Sequence, residues 1–303
     1  MIRFGPSGNS DSFYDDGNKV SEQAPAWLKE KGLNAYEYSF GRGVNISEKK
    51  AGAIGLNAYE YSFGRGITLK EDTAKSIGEQ AKIYDVQISV HAPYYINFAN
   101  PDEEMVKKSY GYLFRSADMA RRMGAGRVIF HPAAVGKATR EEAFELTKKR
   151  FDILIGKIRA EKYDDILFCP ETMGKINQIG TLEEIIELCA MDEVLMPTVD
   201  FGHLNARTLG KMNSRDEYER ALELLSRLGE NKYRHFHMHF SKIEYSNGGE
   251  VKHLTFEDKV YGPDFTELAV LIKGRGLEPV VICESDGTQA EDALTMKKIF
   301  ESV

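Results

Sequence analysis

The stretch QISVHAPYYINFANPDEEMVKKSYGYLFRSADMARRMGAGRVIFH, residues 87–131, decides the fold. It begins with a short β-branched run (87–91), continues through a charged segment with helical spacing (102–124) and ends in a second β-branched run (127–131). Apolar residues three and four apart predict a helix, whereas a short apolar run bounded by turn residues is typical of a strand. The stretch therefore predicts a β-α-β unit with parallel strands.

The same alternation recurs along the chain. Further strand-like runs are IRFG (2–5), NAYEYSF (34–40 and 57–63), ILFCP (166–170), VLMPTVD (194–200), YRHFHMH (233–239) and PVVICE (279–284). About eight such units without a linker predict a closed (β/α)8 TIM barrel, with residues 1–303 as a single domain. The alternative is an open doubly wound sheet, which needs a glycine-rich phosphate turn after its first strand. The turn present there is GPSGNSD (5–11), not GxGxxG, so the barrel is favoured.

The composition is that of a soluble globular protein, with 42% hydrophobic and 29% charged residues. No apolar run approaches the ~18 residues of a membrane span, and the first residues lack the layout of a signal peptide. Three cysteines without a CxxC pair fit a reducing cytoplasm, where we expect this protein. The net charge of −7 gives no sign of nucleic-acid binding. It does not exclude such binding, because a local basic rim can attract DNA to a protein that is acidic overall.

Six residues of metal-ligand type stand at or next to the ends of six predicted strands. The carboxyl ends of barrel strands converge on one mouth, so these side chains should meet there. Buried carboxylates and imidazoles without cations would cost several kcal/mol per uncompensated charge. A site of this composition, without thiolate, suits zinc, manganese or iron. The six residues are His91, His131, Glu171, Asp200, His237 and Glu284.

A set of motifs along the chain resembles that of endonuclease IV, a family of apurinic/apyrimidinic endonucleases on a xylose isomerase-like barrel. The resemblance runs from the first strand to the last, and the ordered set is more specific than any one motif. The motifs are HAPYYIN (91–97), FHPAAVG (130–136), PETMGKINQIGTLEE (170–184), VDFGH (199–203), HFHMHFSK (235–242) and ICES (282–285).

The resemblance implies a trinuclear zinc site that cleaves DNA on the 5′ side of an abasic sugar, with a bridging hydroxide as nucleophile. It implies that Glu171 is the catalytic residue and bridges two ions. His91 and His131 would complete the first metal's ligands, and Asp200, His237 and Glu284 those of the second. His203 and His253 would bind the third.

The match to this family is incomplete at three positions, Val251, His239 and Phe240, the last of which stands where the family usually has Asp. An Asp two residues before the last His of the third site is replaced by Val251, so Glu250, Glu257 or Asp258 would have to serve, or the site would be weak or empty. His239 stands where the family has Asn, which leaves an extra ligand or base and a structural histidine equally open.

Substrate-binding residues follow from the same resemblance. Tyr94 and Tyr95 would enter DNA at the lesion, together with an Arg of the SFGRG loop, either Arg42 or Arg65. Lys242, just beyond a ligand motif, is a weaker candidate for a phosphate contact. The expected partner is DNA with abasic sites, and the protein is expected to be a monomer.

Two other function classes remain open. A metal-dependent sugar isomerase or epimerase on the same barrel would use Glu171 and Glu284 as an acid/base pair around one ion. It would leave His91, His131 and His203 without a role. A non-catalytic barrel would keep the metal site without activity.

The sequence GLNAYEYSFGRG occurs twice, at 32–43 and 55–66, within two tandem β-α units of 23 residues, 32–54 and 55–77. Twelve identities followed by a diverged remainder suggest deliberate construction rather than natural drift. Because the strand number, tilt and shear of a barrel are linked, a ninth strand should not fit, and one copy should lie outside the barrel. It could there mediate association with another chain. The second copy leads into the longer helical segment, so we expect residues 55–66 to supply the second strand.

Overall fold

The computed structural model describes residues 1–39 and 69–303. The strands there are β1 Arg3–Pro6, β2 Ala35–Ser39, β3 Gln87–His91, β4 Arg127–Phe130, β5 Ala133–Ala134, β6 Leu167–Pro170, β7 Gln178–Ile179, β8 Thr198–Asp200, β9 His237–Phe240, β10 Lys242–Ser246, β11 Gly249–Leu254 and β12 Val280–Cys283. The helices there are α1 Asp11–Asp15, α2 Ala24–Glu30, α3 Glu71–Tyr84, α4 Glu103–Arg122, α5 Arg140–Ala160, α6 Leu182–Cys189, α7 Phe201–Arg207, α8 Arg215–Ser226, α9 Glu230–His235, α10 Thr266–Gly274 and α11 Gln289–Ser302.

Eight of the described strands close into a barrel. They form two four-stranded parallel sheets, in the orders β1-β12-β9-β8 and β2-β3-β4-β6. Parallel bridges between Ser7 and Glu37 and between Glu171 and Thr198 join the two sheets at both seams. The (β/α)8 barrel predicted from the alternation of strands and helices is therefore confirmed.

At the seam between β1 and β2, the two backbones approach closely because β1 carries a glycine. A Cβ on Gly5 would lie only 1.7 Å from the carbonyl oxygen of Ala35, so no side chain fits between the two backbones. The next residue of β2, Tyr36, is buried and packs in the main hydrophobic core, as does Phe4 of β1. Alternate residues of β2 thus face the helices, and Glu37 faces the barrel interior.

The helices cover the barrel and bury their apolar faces against it. The capping box predicted at Thr181 is present: its hydroxyl accepts the amide of Glu184 at 3.2 Å, and the Glu184 carboxylate accepts the amide of Thr181 at 2.9 Å. Within residues 1–39 and 69–303, no helix combines the length and the apolar character that a membrane span requires.

The expectation that residues 55–66 supply the second strand is wrong. The first copy takes this place: Tyr36 lies opposite Ile88 of β3, and Tyr38 lies opposite Val90. The two copies are identical from Gly32 and Gly55 onward, so the segment before each copy decides. The first copy directly follows α2, where the amide of Leu33 donates to the carbonyl of Leu28 at 2.8 Å, and the side chain of Asn34 then accepts the amide of Phe4 at 2.9 Å.

The first helix described after β2 begins in the second repeat unit. Helix α3 spans Glu71–Tyr84 and buries Ala74, Ile77 and Ala81. The strand therefore comes from one repeat unit and the helix from the other, whereas the sequence analysis assigned both to the same unit. The prediction that the remaining copy lies outside the barrel concerns residues 40–68, which are outside the described residues.

Candidate metal centre

Glu171 lies at the middle of a buried cluster at the carboxyl end of the barrel. It follows β6 directly, and its side chain is completely buried. One carboxylate oxygen, Oε2, is 3.2 Å from Nε2 of both His91 and His131. The other, Oε1, is 2.9 Å from Nδ1 of His239 and 3.3 Å from Nδ1 of His203. Glu171 thus touches four imidazoles that come from four different parts of the barrel.

His91, His131 and Glu171 form the first group of potential metal ligands. One ligand atom from each lies within 4.8 Å of those of the other two. His91 ends β3, and His131 follows β4, so neighbouring strands present both rings to the same carboxylate. The residues that the sequence assigned to a first metal are therefore together.

The second group contains Glu171, Asp200, His239 and Glu284, again within 4.8 Å of one another. Asp200 is completely buried, and its Oδ1 accepts the amide of His203 at 2.8 Å. Its Oδ2 makes no hydrogen bond with a described residue, although Nδ1 of His203 lies 3.1 Å away and bonds instead to the carbonyl of Thr172 at 3.0 Å. Burial, opposed by His203 and reinforced by Glu284 and Glu171, raises the pKa of Asp200 to about 7. A buried carboxylate oxygen that faces an imidazole but makes no hydrogen bond is one that a cation would satisfy.

His237 does not belong to this second group, contrary to the sequence analysis. Its Nε2 lies 3.1 Å from Oε2 of Glu37, deeper in the barrel. His239, two residues further along β9, has its Nδ1 beside Glu171 and 3.6 Å from Glu284. Both histidines are on the same face of β9, and His239 is the one nearer its carboxyl end. The position that the sequence left open is thus the one at the mouth.

The third group is His203, Glu250 and His253. Glu250 approaches Nε2 of His203 at 3.4 Å and Nε2 of His253 at 3.8 Å. Of the alternatives left open by the sequence, the structure places Glu250 in the group. Asp258 instead accepts the backbone amides of Val260 and Tyr261 in its own loop.

A bulge in the β10–β11 hairpin places the side chains of Glu250 and His253 on the same side of the strand, although they are three residues apart. Lys252 pairs with Glu244 and Glu250 pairs with Tyr245, which leaves Val251 as the extra residue. In a regular strand, residues three apart face opposite sides, but one extra residue returns them to the same side. Val251 itself is half exposed to solvent. The hairpin therefore presents Glu250, not residue 251, to the histidines.

Glu37 is a site residue that the sequence analysis missed. It is completely buried, and its Oε2 lies 3.1 Å from His237 and 3.2 Å from Nε2 of His239. The signal was present in the sequence AYEYS, because a carboxylate between two tyrosines that face the helices must face the barrel interior.

The structure supports some of the predicted substrate-binding positions and not others. Tyr94 follows β3, is 56% exposed, and its ring centroid lies 4.3 Å from that of Tyr95. Lys242 is not placed to bind a phosphate, because its ammonium group donates to the backbone carbonyls of Phe256 and Asp258. Arg42 and Arg65 lie outside the described residues.

Charges within the cluster offset one another. Burial lowers the pKa of His203 and of His239, but the surrounding carboxylates outweigh it and raise both pKa values well above the ordinary one. Conversely, burial raises the pKa of Glu171, but His239 and the other imidazoles lower it well below its usual value. Protons on the histidines thus take the place that a divalent cation would take. Oxygen and imidazole donors without thiolate suit zinc, manganese or iron.

Comparison with known proteins places this site in context. A sequence profile described as xylose isomerase-like TIM barrel matches residues 49–299. An uncharacterized protein of Methanocaldococcus jannaschii is 31% identical over 214 residues, which is 70% of this chain and 77% of that protein. A probable endonuclease 4 of Acholeplasma laidlawii is 33% identical over 100 residues, about a third of each chain. The crystal structure of a D-tagatose 3-epimerase-like protein superimposes with a TM-score of 0.67 at 20% identity, covering 99% of this chain and 96% of that one.

Proposed function

Because the chain belongs to the xylose isomerase-like TIM-barrel family, we propose that it is a metal-dependent phosphodiesterase that resembles endonuclease IV and cleaves DNA on the 5′ side of abasic sites. The observation that carries the proposal is that three groups of potential ligands, not one, adjoin Glu171 at the mouth of the barrel. A single-metal enzyme needs only one of these groups.

The arrangement suits hydrolysis of a phosphodiester. When bound, the metal ions would polarise the phosphate oxygens and lower the pKa of bound water. Glu171 would hold the first two groups in a fixed relation, since each of its oxygens faces a different set of imidazoles. His203, which lies beside both Glu171 and Glu250, connects the third group to the same carboxylate. Zinc is the ion we propose for all three.

The exposed aromatic pair fits a nucleic-acid substrate. Tyr94 is exposed next to the strand end that carries His91, and Tyr95 supports its ring. An aromatic ring there would stack on a neighbouring base or occupy the place of the missing one. Unstacking a nucleotide costs a few kcal/mol and least where the base is already lost, so an abasic site is the favourable substrate. Contacts from Arg42 or Arg65 remain part of this proposal.

A second candidate is a metal-dependent sugar isomerase or epimerase. The group of Glu171, Asp200, His239 and Glu284 is complete by itself, with two glutamates that would serve as an acid/base pair around one ion. The similarity to an epimerase-like structure is one of fold. This alternative gives no role to His91, to His131 or to the third group, which contains His203.

The test uses zinc-loaded protein and a labelled DNA duplex with one abasic site. We expect one cut, on the 5′ side of that site, and no cut in the undamaged duplex. Glu171→Gln should lower the rate by several orders of magnitude while circular dichroism shows an intact fold. Glu183→Gln, an exposed residue of α6, is the matched control and should leave the rate unchanged. Epimerisation of a ketose without DNA cleavage would establish the alternative, and no turnover of either substrate would indicate a non-catalytic barrel.

A further inference from the structure

Directly beneath the metal centre, Glu37 accepts hydrogen bonds from four side chains. Its Oε1 lies 3.3 Å from the hydroxyl of Ser7, and its Oε2 lies 3.3 Å from that of Ser89. The Nε2 atoms of His237 and His239 approach the same Oε2 at 3.1 and 3.2 Å. Glu37 is completely buried, so these contacts replace the hydration that its charge would have in water.

Arg127 fixes which nitrogen of His237 carries a proton. Its guanidinium lies 3.4 Å from Nδ1 of His237 and also donates to the carbonyl of His235 at 2.7 Å. A guanidinium can only donate, so Nδ1 of His237 accepts and Nε2 carries the hydrogen that Glu37 accepts. The two ends of this buried chain, Arg127 and Glu37, are opposite charges joined through a neutral imidazole.

The same reasoning applies to His239. An ionised carboxylate only accepts hydrogen bonds, so Nε2 of His239 must carry a proton towards Glu37. In the metal-free protein the same rule places a proton on Nδ1 as well, because Glu171 lies at 2.9 Å. A bound cation would displace that proton and take the Nδ1 lone pair, with Glu284 at 3.6 Å. A ligand histidine whose other nitrogen donates to a carboxylate is held in one tautomer and orientation, and its basicity is raised.

We propose that Glu37 is a positioning residue that holds His239 in the Nε2–H tautomer and thereby sets the metal affinity of the Glu171, Asp200, His239 and Glu284 group. This inference rests on the metal centre of the proposed function but not on its substrate. Its readouts are metal affinity and the position of a ring proton, so failure to cleave DNA would leave it standing.

Glu37, His237 and His239 are also close enough together to hold an ion themselves. Their contacts argue against it. Glu37 already accepts bonds from two hydroxyls, and the far nitrogen of His237 faces a guanidinium, which would repel a nearby cation. All three side chains are completely buried below the mouth. The carboxylate is therefore satisfied by donors and orients His239 instead of binding metal.

The repeat supplies a matched control variant for the experiment. Glu60 stands 23 residues after Glu37, at the same position of the identical segment. Zinc affinity is measured for Glu37→Gln and Glu60→Gln in the full chain by competition with a chromophoric chelator. Glu37→Gln should weaken one zinc ion by roughly 10- to 100-fold, and Glu60→Gln should match the original protein. Unchanged affinity in Glu37→Gln, or the loss in Glu60→Gln instead, would overturn the proposal.

A second measurement does not depend on the stability of any variant. Two-bond ¹H–¹⁵N spectra of the zinc-loaded protein, with ¹⁵N-labelled histidine, show which ring nitrogen of His239 carries the proton. We expect only Nε2–H in the original zinc-loaded protein and a fraction of rings with the proton on Nδ1 in zinc-loaded Glu37→Gln, which a merely space-filling role would not produce. A proton on Nδ1 in the original zinc-loaded protein would refute the assignment.

Discussion

A single added methyl group at Gly174 should disable the third metal group and leave the other two intact. A Cβ built on Gly174 would lie 2.6 Å from Cβ of Glu250, 2.9 Å from its Oε2 and 3.0 Å from Cδ2 of His203. A real Cβ essentially never lies closer than 3.0 Å to another heavy atom, and ordinary contacts begin at 3.4 Å, so Gly174 and Glu250 have to separate by about 0.4 to 0.8 Å. Ligand distances in metal sites vary by only about 0.2 Å, so such a shift takes the carboxylate out of reach.

We expect the affinity of the third group for zinc to fall by about 10- to 100-fold, which corresponds to roughly 1.4–2.8 kcal/mol. This is the range seen when a residue that orients a metal ligand is mutated. Zinc per chain is measured by elemental analysis after dialysis against a weak chelator. Gly174→Ala should retain one ion fewer than the original protein.

Gly111→Ala is the matched control, because it makes the same chemical change on the exposed face of α4, where an added Cβ meets nothing within 4 Å. It should retain all the zinc and gain about 0.5–1 kcal/mol of stability, as Gly→Ala exchanges in helices do. Equal zinc content in Gly174→Ala and Gly111→Ala would refute the assignment of Glu250 to the third group.

Three further outcomes follow from the same structure. Val251→Asp should leave the zinc content unchanged, because residue 251 is the bulged, half-exposed one; a gain of one ion would show that the site lacks a carboxylate. Although burial opposes it, nearby carboxylates raise the pKa of His203 and His239, so their stabilising effect is complete below about pH 6.5 and is lost as the pH rises through the folded-state pKa. The Tm of the metal-free protein should therefore fall as the pH rises above about 6.5, less so with zinc bound, and a flat metal-free profile would contradict this. Deleting residues 44–66 should leave a folded barrel with unchanged zinc content, which circular dichroism and elemental analysis check; an unfolded product would show that the extra unit is needed.

The deletion of residues 44–66 tests the repeat whichever copy forms the barrel strand. Because the repeat is identical over twelve residues, removing 32–54 and removing 44–66 give the same sequence. The shortened chain joins the strand of one copy to the helix of the other, as the structure already does with β2 and α3. The predicted outcome of the deletion therefore does not depend on which copy supplies the barrel strand.

The fold and the placement of most candidate ligands were predictable because they depend on local patterns. Apolar runs and helical spacing define the β-α units, and strand ends in a barrel meet at one mouth whatever the details of packing. This logic brought His91, His131, Glu171, Asp200 and Glu284 together, as the structure has them.

The errors concern features that depend on register and connection. His237 and His239 share one face of β9, so only the level of the strand in the barrel decides which one reaches the mouth. The position of Glu250 beside the histidines depends on a β-bulge, which no residue type in this segment predicts. The copy used for β2 depends on its direct connection to α2, where Leu33 bonds to the carbonyl of Leu28, and this contact outweighed helix length.

The central claim is that the mouth of this barrel holds three metal ions around Glu171. Anomalous diffraction at the zinc edge, from crystals of the zinc-loaded protein, tests it most directly. We predict three peaks per chain: one between His91 and His131, one beside Asp200 and His239, and one at Glu250. A single peak, confined to the group of Asp200 and His239, would contradict the phosphodiesterase proposal and favour a sugar isomerase or epimerase.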